Sequence, residues 1–177
     1  MKKIFLLFFL LTGCMSTQKD IFEVKEDHEI HSVNVNQVES VSMVSHFDSE
    51  NHIENEMPVP PQEAINNWVK EHLLAQGQND FRLLVVTHQA DMVRESIPNE
   101  SFFKFDEERY VLSYRLELQV RRGDVLLKTK PVEGKGFVIL AKKASITTKE
   151  KAWAWLTHQM LSHLKVKIQE GFEDFVP

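Results

Sequence analysis

YVLSYRLELQV, residues 110–120, alternates without a break. Tyr110, Leu112, Tyr114, Leu116, Leu118 and Val120 fall on one side, and Val111, Ser113, Arg115, Glu117 and Gln119 on the other. Period two over this length predicts a long β-strand with one apolar and one wet face. A sheet that is wet on one face needs helices on the other face only. That reading sets the fold class: α+β, with helices on one side of a sheet.

Downstream, Arg122-Gly123-Asp124 reads as a tight hairpin turn, because glycine supplies the positive φ such turns need. The same three residues spell an integrin-recognition tripeptide, but the turn alone already demands the glycine. VLLKTK continues from it, and GKGFVILAKK gives a further strand centred on Phe137 to Ala141. Pro131 and two glycines predict an irregular stretch or bulge between them. Thr147 with Glu150 three residues on predicts a capping box. From there Trp153, Leu156, Met160, Leu164, Ile168 and Phe172 recur every three or four residues as one apolar helical stripe. Trp155 and Leu161 lie off it.

Upstream, FRLLVVTHQADMV places Phe81, Leu83 and Val85 on one face and Leu84 and Val86 on the other, the mark of a buried central strand. A helix precedes it, with Pro61 in its first turn and Ala64, Ile65, Trp68, Val69 and Leu73 on one side. Gly77 reads as its stop. Residues 45–61, SHFDSENHIENEMPVPP, read as a polar loop. SVNVNQVESVSMV predicts one strand with a bulge or an uncertain register. The expected order is β-α-β-β-β-α: two helices on one face of an antiparallel or mixed sheet of about four strands.

The chain opens MKKIFLLFFLLTGC. Lys2 and Lys3 precede an uncharged run, Ile4 to Leu11, that rises only about 12 Å as a helix. This falls far short of a bilayer core of about 30 Å, so the run reads as a secretory signal. Leu11-Thr12-Gly13-Cys14 resembles the bacterial lipobox, which implies diacylglyceryl modification of the Cys14 thiol and cleavage before it. Cys14 is the only cysteine, so no intramolecular disulfide can form. Two or more acyl chains would hold the protein stably to a membrane. Met15 stands where an aspartate would imply inner-membrane retention, so the resemblance implies the outer membrane. The expected division is residues 1–13 as signal, 14–30 as lipidated cysteine and acidic tether, and 31–177 as one periplasmic domain.

The net charge is −5, and an acidic chain is a poor general nucleic-acid binder. The basic residues concentrate late in the chain: Arg121, Arg122, Lys128, Lys130, Lys142 and Lys143 make a candidate surface for anionic headgroups or an acidic partner, against the plainer reading of a solvated face. No Gly-rich phosphate loop, Gly-x-Ser-x-Gly or His-Glu-x-x-His occurs. His46, Asp48, Glu50, His52 and Glu54 could ligate a cation but also fit an acidic linker. His158 and His163 stand about 140° apart on a helix and do not converge. The expectation is therefore no catalytic residue, no metal and no cofactor.

From Pro61 onward the chain resembles the YajG-like and ABC-type transport auxiliary lipoproteins of Gram-negative bacteria. PPQEAINNWVKEHL, RYVLSYRLELQV and the terminal GFEDFV carry the resemblance. It implies helices on a sheet behind a lipobox, and an accessory role beside an envelope protein partner or transport complex. It offers no active-site motif to transfer. The competing expectation is a lipid- or small-ligand-binding auxiliary component of such a system.

Overall fold

The central strand keeps its core face by switching parity halfway. In the computed structural model, which describes Phe22, Val24 and residues 29–44, 51–97 and 106–172 of the 177, this strand runs Phe81–Ile97. Its pairing with Glu107–Arg122 slips between Thr87 and Gln89, leaving His88 as the bulge residue. Odd positions Leu83, Val85 and Thr87 are buried before the bulge, and even positions Ala90 and Met92 after it. Without the extra residue, Met92 would turn outward and lose about 2 kcal/mol of burial.

In chain order the elements are β1 (His31–Val33), β2 (Gln37–Ser42), α1 (Pro61–His72), β3 (Leu73–Ala75), β4 (Phe81–Ile97), β5 (Glu107–Arg122), β6 (Val125–Ala141) and α2 (Ile146–Phe172). The main sheet has the order β2-β4-β5-β6. β2 runs parallel to β4, and the other pairs are antiparallel. β1 and β3 form a separate parallel pair. Both helices contribute to the core over the side of the sheet carrying Tyr110, Leu112, Leu116, Leu118 and Val120. The architecture is the expected α+β arrangement on a mixed sheet.

Local details differ from the sequence expectation, each for a physical reason. The single strand expected near residues 33–43 is two, β1 and β2, with Val33 and Val35 both in the core. α1 ends at His72, not at Gly77, because Leu73 turns extended to pair with His31. Gly77 instead lies against the Asn34–Val35 backbone, too close for a side chain. The residue 45–61 loop is not wholly polar in role: Asn51 and Ile53 hydrogen-bond the edge of β4 at Arg94 and Met92, and Ile53 and Met57 are buried.

β6 is one continuous strand through Pro131. Proline is tolerated there because β6 lies at the sheet edge. Gly123 does supply the turn, with φ +56. α2 starts at Ile146, and its cap lies two residues before the expected Thr147: the Ser145 hydroxyl accepts the Thr148 N–H at 3.1 Å, so Ser145 is the N-cap. The stripe from Trp153 to Ile168 is buried as expected, while the Phe172 and Phe175 side chains lie outside the described residues. Off-stripe Trp155 meets Phe22 edge-on at 5.9 Å. No described helix is long and apolar enough to cross a membrane.

Candidate functional site

Cys14 lies outside the described residues, as do His46, Asp48 and Glu50. The described part of the segment before β1 lies along α2: Phe22 on Trp155, Val24 in a cleft wall, and Glu29 accepting from Lys165 Nζ at 2.6 Å.

The basic residues do not form one patch. Arg121, Arg122 and Lys128 sit where β5 turns into β6, and Lys142 and Lys143 follow the opposite end of β6. The intervening length of β5 is about 50 Å at the usual rise. Arg122 pairs with Asp80 at 3.1 Å and lies over the Phe81 ring, and Lys130 lies 3.6 Å from Glu170.

Polar clusters on the sheet satisfy themselves. Glu108, buried, accepts from Lys149 Nζ at 2.7 Å and from the Tyr110 hydroxyl. Burial pushes the Glu108 carboxyl up, but the bonds from Lys149 and Tyr110 outweigh it and hold it below the usual range. Burial lowers Lys149, and its bond to Glu108 more than restores it, so the ammonium titrates above its ordinary value. Burial and the Glu108 bond raise Tyr110. A base pushed down and acids pushed up stay in one charge state near neutral pH, which suits a structural pair and not proton transfer. On the opposite sheet face Glu117 accepts from Thr129, Gln119 and His88 at 2.5, 3.0 and 3.3 Å. The Thr129 bond, helped by Gln119 and His88, lowers its pKa against a raising effect of burial. Tyr114 Oη lies 2.7 Å from His163 Nδ1. His52 is bridged to Val93 and sits 3.3 Å from Glu54, whose carboxylate caps the Met92 N–H. Among the described residues no three potential ligands gather around a metal-sized space.

One cleft has the character of a ligand site. It lies between Glu150–Leu161 of α2, Met57–Ala64 and Val24, with a volume of about 230 Å³. Its walls include Met57, Val59, Ala64, Ala154 and Leu161, with Glu150 and His158 as the charged or titratable members. Two of its wall residues, Trp153 and Thr157, are buried, and their Nε1 and Oγ1 atoms have no hydrogen-bond partner among the described residues. Each such group costs about 1–3 kcal/mol. Trp153 falls on the apolar stripe that the sequence predicts, but no local pattern marks the cleft's lining, because Val24, Met57 and Thr157 come from three separate regions.

A second feature is exposed. The sheet face away from the helices carries Phe137 and Ile139, 58% and 40% exposed, with the Arg109 guanidinium 5.2 Å from the Phe137 ring centre. Nothing in the alternation of residues 110–120 could report this patch, since its apolar members belong to the edge strand.

No family model matches the chain, and no curated protein matches it. Among solved structures it is similar to a minor lipoprotein from Acinetobacter baumannii, at 8% identity over 79% of this chain and 92% of that one, with a TM-score of 0.41. It is similar to the rare lipoprotein B from Shewanella oneidensis, at 11% identity over 79% and 96%, with a TM-score of 0.38. It is also similar to a homolog of a neuraminyllactose-binding hemagglutinin from Helicobacter pylori, at 10% identity over 88% and 99%, with a TM-score of 0.42. Likeness this distant identifies no family and no activity.

Proposed function

We propose that the chain is a lipid-anchored envelope protein, facing the periplasm from the outer membrane, that works without catalysis by binding a protein partner through the open face of its sheet. The observation that carries the reading is the Phe137–Ile139–Arg109 surface on a face that neither helix covers. Aromatic and arginine side chains are enriched at the centres of interfaces. The lipobox ending in Cys14 supports the anchor, and an envelope transport assembly is the partner class that the sequence resemblance implies. The self-satisfied Glu108–Lys149 and Glu117 clusters support binding over chemistry. A photo-crosslinking residue at Phe137 is expected to trap a discrete envelope protein that the same residue at Val166, exposed on α2, does not trap. Equal trapping at both positions, or none at Phe137, overturns the reading. Fractionation beside Cys14→Ala tests the anchor separately.

The cleft favours a second reading, a small apolar ligand with one acceptor group. Its apolar walls and the two unpartnered donors, Trp153 Nε1–H and Thr157 Oγ1–H, are the observation behind it. Native mass spectrometry is expected to show retained ligand mass if it holds; a protein of bare mass that binds no added fatty acid removes it.

A further inference from the structure

We propose that the corner of the sheet where β5 turns into β6 is a second membrane contact, docking on an anionic lipid surface. The proposal rests on the Cys14 anchor. Val125, Leu126 and Leu127 are 62%, 44% and 44% exposed, three consecutive apolar side chains in water. They do not share a face. Val125 pairs with Arg122 and Leu126 with Arg121, while Leu127 is the extra residue where the β5–β6 register slips. The apolar groups therefore surround the corner as a wedge and do not line a flat patch. α2 stops short of it, because Gly171 stands only beside Lys130.

Cations ring the wedge. Gln37, Arg82 and Arg121 are neighbours across β2, β4 and β5. Arg82 donates to the Gly123 carbonyl at 2.7 Å and Arg121 to the Gln119 amide oxygen at 2.9 Å, so their bonds go to neutral acceptors that leave the positive charge in place. Arg122, paired with Asp80, stands beside them, and Lys128 and Asp124 flank the three apolar residues in sequence. Apolar residues at a tip with guanidinium groups behind them match an interface whose acyl region lies beneath anionic headgroups.

The rest of β6 points away from strand pairing with another protein. Lys128, Lys130, Pro131 and Lys135 interrupt this sheet edge, the usual device against edge-to-edge addition. The anchor then makes a weak contact sufficient. Phe22 is held on Trp155, and the eight peptide links from Cys14 to Phe22 span at most about 28 Å. The domain cannot leave the bilayer surface, and the corner meets lipid at a high effective concentration. Two attachment points would fix how the open sheet face is presented.

The test uses the mature anchored protein. Thioether formation blocks Cys14, so Leu126→Cys adds the single free thiol, labelled with an environment-sensitive fluorophore; Val166→Cys is the control. Each protein is reconstituted into vesicles of phosphatidylcholine alone or with phosphatidylglycerol. At position 126 the emission is expected to rise severalfold and shift to the blue only with phosphatidylglycerol, to fall back at high salt, and to weaken in Arg82→Gln/Arg121→Gln. At position 166 it stays unchanged. Equal emission at the two positions in phosphatidylglycerol vesicles overturns the proposal. So does a blue shift at 126 that appears only when other envelope proteins are present, since the corner then docks protein. Labelling of two thiols per chain, with no acyl mass, marks failure of the anchor reading itself.

Discussion

Gly134→Ala is the sharpest test of how α2 is seated. Gly134 lies opposite Tyr114 across β5 and β6. A Cβ built on it falls inside the hydroxyl and ring of Tyr114, closer than real Cβ atoms approach. Its backbone is no obstacle, since Gly123 alone among the described residues has positive φ. The tyrosine lies over Gly134 to reach His163 Nδ1 on α2 at 2.7 Å. Alanine must therefore displace the ring and break that bond. Overpacking costs about 1–3 kcal/mol and the lost hydrogen bond about 1 kcal/mol, so Gly134→Ala should cost about 2–4 kcal/mol and lower Tm by on the order of 10 °C. With Tyr114→Ala the space is empty, and the same change should shift stability by less than about 1 kcal/mol in either direction. Urea unfolding of the wild type, both single variants and the double variant should give a coupling of at least about 1 kcal/mol. Additive costs would falsify the account, because the clash would not then run through Tyr114.

Glu108→Gln should cost about 2 kcal/mol by chemical denaturation, since it leaves the Lys149 ammonium half-buried and unneutralised. The wild type carries a pH signature of the same pair. The Glu108 pKa is depressed in the folded state, so its stabilisation is present above the unfolded value near 4.5 and is lost as pH falls through the folded one; Glu108→Gln should flatten that acid limb. Thr157→Val removes a buried hydroxyl with no partner among the described residues and should be neutral or stabilising by about 1 kcal/mol; a thermal-melt loss above that would show the hydroxyl engaged with a ligand. Gly123→Ala, at φ +56, should cost about 1–2 kcal/mol and Gly123→Asn less, read from thermal shifts.

The residue 110–120 stretch was legible because period two is a local property: each side chain's face follows from its neighbours. The same holds for the Trp153–Ile168 stripe and for the glycine in the hairpin turn. Three local signals misled. Gly77 looked like a helix stop, but its place is set by contact with Asn34. Thr147 carries the capping-box pattern, yet the cap is Ser145, two positions earlier, since the two differ only in which hydroxyl the chain brings to the N3 amide. Pro131 looked like a break because its meaning depends on edge position, and strand order is not a local property.

By itself the sequence determined the alternation and the apolar stripes of the two helices, each written in one short continuous run of residues. Tertiary structure alone decided the parity switch at His88, the cleft joining Val24 to Met57 and Thr157, the separation of Arg121 and Arg122 from Lys142 and Lys143, and the wedge at Val125–Leu127. Each depends on which distant segment arrives beside which, and that is settled by the summed burial of the whole core and not by the preference of any one stretch.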